Sequence, residues 1–407
     1  FFVSILIGTG IKAGIIPLHT WLPDAHPAAP SPISAMLSGI MVKTGVYTFI
    51  RFYFTVFQPS WSLSWQVILM VIGVCTLLGG VFLALMQYDI KKFLAYSTIS
   101  QIGYIFLGIA CGTSIGLVGA LYHTINHAVC KSLLFLGAGV IIKLTGSRYF
   151  EDYGGLAQKL PFTFAVMTIA ALSISGVPPF NGFVSKWIIY QALLTQGSKL
   201  AVFAMVAALL GSVLTLASFI KVLNDTFMGV RTKEVSGTGF ETSPFMNIPM
   251  FILAAGCFFL GFFPGFVSER IIFPSVGQYV KINIDLIQMA GFYGWLAVVF
   301  FASIFIFGRR RLKKARITET FVGGEILDAK TTAFDGAHFY DTLRDITPLK
   351  AFYSAEAKGY LDIYQIALKS LPAIGMFFKT VGVKSIDSLY EKGSSVVNKC
   401  VKKLTRS

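Results

Sequence analysis

Among 407 residues there are only 19 aspartates and glutamates against 34 lysines and arginines, and no acid falls in the middle of an apolar stretch. Asp24, Asp89, Glu151, Asp152, Asp225, Glu234, Glu241, Glu269 and Asp285 occupy loops or window ends, and the rest follow residue 318. A buried cation that needs a carboxylate must therefore find it in absent sequence or in a neighbouring subunit. The five cysteines, Cys75, Cys111, Cys130, Cys257 and Cys400, form no CxxC pair, which excludes an iron-sulfur or zinc site and a disulfide framework. Nothing in the sequence can hold a flavin, cluster or haem, so no cofactor or metal is expected in this chain. Signal-peptide architecture is also missing. The chain opens Phe1-Phe2-Val3, without methionine and already inside an apolar run, so an earlier part is expected to be missing, removed or carried by another polypeptide.

What is there is apolar. Hydrophobic residues make up 55% of the chain and mean hydropathy is +0.71, the composition of an all-α polytopic membrane protein. Apolar windows fall at about 1–20, 32–55, 64–86, 93–112, 116–143, 161–196, 200–224, 245–264 and 287–308, which predicts about nine crossings. Alternate loops differ in charge. One side collects Lys91, Lys92, Lys143, Arg148, Lys159, Lys221, Arg231, Lys233 and the run Arg309, Arg310, Arg311, Lys313, Lys314, Arg316, and the other only Arg51, Lys199, Arg270 and Lys281. The positive-inside rule then places the C-terminus in the cytoplasm. With so little soluble mass, the net charge of +15 reads as membrane orientation and lipid headgroup contact, with no nucleic-acid partner.

The window 161–196 is too long for one straight crossing and too short for two. As one helix it would run about 54 Å against about 30 Å of hydrocarbon. Gly176-Val177-Pro178-Pro179 interrupts it, because proline lacks an N–H and clashes with the preceding turn, and the helix is expected to restart near Asn181-Gly182. Lys186 follows two turns on. Broken helices with a charge beside the break build ion sites in transport proteins; the alternative is a proline kink with a snorkelling lysine. Pro17 likewise interrupts the first window, one turn after Lys12. The proline-rich run from Trp21 to Pro32 is read as a stiff extended loop ahead of the second span.

Charges at membrane depth are the most informative residues. Lys43, Lys131 and Lys186 lie about 15–18 Å along the helix from the nearest window end, beyond a lysine stem's reach of about 6 Å. They are therefore buried against protein or water, whereas Lys12 stands near the start of the chain and is not fixed by this test. His123, His127 and Lys131 recur at i, i+4 and i+8 and stack on one helical face. Three readings of that line stay open. It could be a metal site, although an HxxxH pair lacks further ligands. It could be a proton path, since histidine titrates near neutral pH and water bridges such spacings. Or the histidines could be structural and hydrogen-bonded.

After Ile317 residues 318–358 are mixed and polar. Residues 359–406 return to helical spacing with a lysine-rich face and a proline at Pro372, reading as an amphipathic helix on the membrane surface or on neighbouring subunits.

Several motifs together resemble one family. They are Lys12 with Pro17-Leu18-His19-Thr20-Trp21-Leu22-Pro23-Asp24-Ala25-His26, Ala29-Pro30-Ser31-Pro32, Val42-Lys43-Thr44-Gly45-Val46-Tyr47, Tyr96 to Tyr104, His123 to Lys131 and Gly176 to Trp187. Over about residues 1–225 the chain resembles the antiporter-like subunits of respiratory complex I, membrane-bound hydrogenases and multisubunit sodium/proton antiporters. The resemblance implies two inverted five-helix repeats, each with a broken helix. It implies Lys12 as the first broken-helix lysine, Lys43 as the lysine of the next helix, Lys131 as the central lysine and Lys186 as the second broken-helix residue. The family's first-repeat glutamate lies in a region absent here. The resulting division is 1–55 as the remnant of a first repeat, 64–225 as the second repeat, 245–308 as C-terminal spans and 318–407 as a polar segment with a lateral amphipathic helix. The expected function is proton or cation translocation by one subunit of a redox-driven complex in an energy-coupling membrane, beside neighbouring antiporter-like subunits and iron-sulfur subunits. A sodium/proton antiporter without redox partner, or a non-pumping structural subunit, are the alternatives.

Overall fold

The structure, a computed structural model, describes residues 1–57, 63–228, 243–276 and 340–362, with Leu296, Val298, Gln365 and Ile366. The window 287–308 and nearly all of the amphipathic stretch 359–406 lie outside the described residues. The chain divides into two compact units, Phe1–Arg344 and Asp345–Ser407.

The first unit is helical. Among the described residues the only extended pairing is an isolated bridge between Asp89 and Tyr149. Among the described residues six helices are long and apolar enough to cross a membrane: Ser31–Phe57, Ser64–Leu85, Ile90–Ala110, Ser114–Thr145, Lys199–Met228 and Pro244–Phe262. Two broken helices accompany them, and the chain is an integral membrane protein. In chain order the elements are α1 (Phe2–Ala13), α2 (Trp21–Ala28), α3 and α4 (Ser31–Met36 and Val42–Phe52, joined by a π turn over Leu37–Met41), α5 (Leu63–Leu85), α6 (Ile90–Ala110), α7 (Ser114–Thr145), α8 (Pro161–Ser175), α9 (Asn181–Gln196), α10 (Lys199–Leu223) and α11 (Pro244–Phe262). Two short turns, α12 (Pro264–Val267) and α13 (Phe273–Val276), follow.

Side-chain caps fix several helix starts. Asp89 accepts the backbone N–H groups of Lys91 and Lys92 at 2.8 and 3.3 Å and opens α6, and Thr113 accepts that of Gly116 at 3.1 Å and opens α7. Because α6 is buried along nearly its whole length, it forms the axis against which α5, α7, α9 and α10 pack. The outer faces carry exposed Phe203, Val206, Val213, Phe251 and Ile252, as lipid-facing surfaces must.

The run from Trp21 to Pro32 is not an extended loop. Trp21–Ala28 is a helix, α2, and with α1 it forms a second broken helix matching α8 and α9. Prolines misled the reading because of where they fall. Pro23 occupies the first turn, where no N–H is needed, and Pro27 loses one bond just before the helix ends. Asp24, expected in a loop, therefore rides on a helix, where it pairs with Lys92 at 3.7 Å. Both breaks start alike: Gly14 (φ 76°) ends α1 and Gly176 (φ 85°) ends α8 in the left-handed region that favours glycine. The window 161–196 is one interrupted segment, restarting at Asn181.

The second unit's described part contains α14 (Thr347–Ala357), with Pro348 in its first turn.

Candidate functional site

At the second break, α8 leaves its last carbonyls without helical partners. Lys186, on the far half-helix, is 2% exposed and donates from Nζ to the carbonyl of Ser175 at 3.2 Å and to Ser212 Oγ at 3.0 Å. The negative end of α8 suits this ammonium. Its Nζ also stands 4.5 Å from the centre of the Tyr104 ring. Tyr104 donates to the carbonyl of Ala208 at 2.6 Å, and Tyr190 meets Ser212 at 2.8 Å. The lysine is thus held by one hydroxyl, one freed carbonyl and one aromatic face, from three helices.

The break is tied to the histidine-bearing helix. Asn126 on α7 donates to the carbonyl of Asn181 at 2.7 Å, and Asn181 Nδ2 donates to Asn126 Oδ1 at 3.2 Å. Ser173 at the end of α8 donates to Asn181 Oδ1. Beside these, His123 Nδ1 meets Ser185 Oγ at 2.9 Å, one residue before Lys186.

His123 and His127 stand with their rings 6.2 Å apart and 3° from parallel. Both are buried, and both nitrogens of His127 and Nε2 of His123 have no protein partner. A hydrogen-bonded structural role thus accounts for His123 Nδ1 only. Among the described residues no three histidine, cysteine or acidic side chains gather as a metal site would need. Lys131 is fully buried, donates to the carbonyl of Leu94 at 3.0 Å and lies 5.6 Å from the Phe219 ring. Lys43, also buried, donates to the carbonyl of Ser38 inside the π turn, a helix irregularity often found at functional sites. His127 stands one turn from His123 and one turn from Lys131 on α7. Five of the six residues singled out in the sequence, Lys43, His123, His127, Lys131 and Lys186, therefore share one buried region.

Lys12 stands apart. It is partly exposed on the last turn of α1, where Gly45 lies against its Cβ. At this break the carbonyl of Ile11 accepts both the Gly14 N–H at 3.2 Å and the indole N–H of Trp21 at 2.7 Å, and Pro17 turns the chain between the two half-helices.

Two polar residues of this region escaped the sequence reading. His26, with 0% exposure, stacks on Phe135 at 4.5 Å and 17°, and neither ring nitrogen has a protein partner. The carbonyls just after it are gripped by Arg148 (Pro27, 3.0 Å) and Lys91 (Ala29, 2.6 Å). Gln101 on α6 is buried with both amide atoms unpartnered.

With this geometry in place, comparison with known proteins adds the lineage. Residues 1–215 match the family model described as "NADH:quinone oxidoreductase/Mrp antiporter, TM". The chain belongs to this family. Family members similar to it include hydrogenase-4 component B of Escherichia coli (strain K12), 37% identical over 66% of this chain and 43% of that protein. NADH-quinone oxidoreductase subunit N of Desulforudis audaxviator (strain MP104C) is 35% identical over 68% of this chain and 56% of its own length. The chain thus spans about half the length of the curated relatives it matches. Among solved structures, a chain of the membrane-bound sulfane sulfur reductase, an archaeal respiratory membrane complex, superposes with a TM-score of 0.76 at 29% identity, covering 93% of this chain and 64% of that one.

Proposed function

We propose that the chain is a proton- or cation-translocating, antiporter-like subunit of a multisubunit redox-driven membrane complex of the complex I or membrane-bound hydrogenase type. The observation that carries this reading is the lodging of Lys186 on the carbonyl freed by the helix break, in the same buried region as His123, His127, Lys131 and Lys43. Lysines held by neutral oxygens can exchange protons, and occupancy of one changes the proton affinity of its neighbours, so charge can advance along the line. Lys12 serves the same line from the first break. Electrons are handled by iron-sulfur subunits, this chain carrying no cofactor or metal of its own, and neighbouring antiporter-like subunits supply the carboxylates. The reading includes nine crossings, a cytoplasmic C-terminus, an energy-coupling membrane, a first-repeat remnant over 1–55, a second repeat over 64–225, C-terminal spans over 245–308 and a lateral helix within 318–407.

The test replaces Lys186 in the whole complex and follows proton uptake into vesicles alongside electron transfer. Lys186→Ala should lower translocation at least tenfold with the complex still assembled. Lys186→Arg should fail too, because guanidinium stays protonated at any accessible pH. Full pumping by Lys186→Arg would overturn the exchanging-lysine mechanism, and full pumping by Lys186→Ala would leave a structural subunit.

A second reading, a sodium/proton antiporter without a redox partner, is favoured by the family's breadth, since its description joins both classes. Co-purified iron-sulfur subunits support the first reading; sodium-driven proton exchange without them supports the second.

A further inference from the structure

Lysine and histidine contacts reach α6 at two separate places. In one, Lys186 and His123 gather around the ring of Tyr104, at 4.5 and 5.6 Å. In the other, Lys43 is held by the carbonyl of Ser38, whose hydroxyl meets Thr98 Oγ1 at 2.8 Å. Tyr104 and Thr98 are both on α6, six positions apart, and Gln101 lies midway. Successive helix residues are about 100° apart, so Gln101 projects about 60° from Tyr104 and about 60° from Thr98, on the bisector of the two directions. Its side chain therefore projects between the directions of Thr98 and Tyr104. It is 0% exposed, and neither its amide nitrogen nor its oxygen has a protein partner. On α7, across from this face of α6, His127 has no partner on either ring nitrogen.

Buried amides left unpaired are costly, and native proteins meet such groups with ordered water. A primary amide offers two donors and an acceptor yet does not titrate. We propose that Gln101 is a positioning residue that joins the Lys43 group to the His123 and Lys186 group, its amide holding the water shared with His127. Resting on the translocation reading above, this assigns the link between the two lysine sites to a side chain that never carries the proton. An apolar residue of the same size would fill the space and break the link.

The experiment uses membrane vesicles bearing the whole complex, with proton uptake read by a pH-sensitive dye and assembly by co-purification. Gln101→Leu keeps the volume and removes both hydrogen-bonding ends, and at least a tenfold loss of uptake with normal assembly is expected. Gln101→His restores one donor and one acceptor, and uptake within threefold of wild type is expected. A merely structural glutamine would not distinguish the two. Equal uptake by Gln101→Leu and wild type overturns the proposal, and so does equal loss in both variants with assembly intact. Should Gln101→Leu fail to assemble, the comparison passes to Gln101→Met; failure of both apolar variants to assemble makes the amide structural and also overturns it. Lys186→Ala runs alongside: if it pumps normally, the translocation reading itself falls, whereas loss there with none in Gln101→Leu sinks only the role of Gln101.

Discussion

Asn181 is bound from α7 and α8 at the point where α9 begins. Replacing it by leucine would remove the Asn181 Nδ2 donor from the buried Asn126 Oδ1 and the Oδ1 acceptor from the Ser173 hydroxyl, while the Asn126 N–H keeps the backbone carbonyl at 181. A loss of about 1–3 kcal/mol is expected, read as a lower midpoint in denaturant for the detergent-solubilised protein; an unchanged midpoint would show that the pair contributes nothing. The ionisable members of the site were legible in the sequence because a charge at membrane depth has few excuses, and arithmetic on helical rise removes snorkelling for Lys43, Lys131 and Lys186. Gln101 was not legible, since one amide in an apolar helix carries no charge to betray its depth. His26 was hidden by Pro23 and Pro27, which made its surroundings look like loop.

Helix breaks were half legible for a related reason. Gly176 to Pro179 stands in the middle of a window whose length already demands an interruption, so the restart at Asn181 followed. The first break begins the same way, but α2 is short and holds two prolines at positions that tolerate them, and local propensity pointed the wrong way. The second break is also tightly packed: a Cβ on Gly182, in the first turn of α9, would collide with the carbonyl of Ser173 in α8. Gly182→Ala should push the half-helices apart, destabilising by about 1–3 kcal/mol or more and displacing Lys186 from Ser175. A variant with wild-type stability and uptake would show that the contact is loose.

At the scale of the molecule, loop charge gave an orientation and the structure gathers much of it at one end, where Lys221 donates to the carbonyl of Leu85 at 3.2 Å and Arg148 pairs with Asp89 at 3.5 Å. An impermeant thiol reagent should reach Ser407→Cys only from the cytoplasmic side; labelling only from outside would reverse the assigned topology. Deleting residues 359–406 is expected to weaken assembly, read as less co-purified complex, and normal assembly would count against a lateral role. The two breaks differ in what closes them. The indole of Trp21, which does not ionise in water, bonds across the first, while the second is fastened by an amine whose grip depends on charge, because charge-assisted bonds are roughly twice as strong as neutral ones. The two breaks are thus alike in outline and unlike in what fastens them, an indole in one and an amine in the other. Lys186→Met should speed backbone hydrogen exchange around Gly176 to Phe180 and leave Gly14 to Thr20 unchanged, locating the only loose seam of the pair.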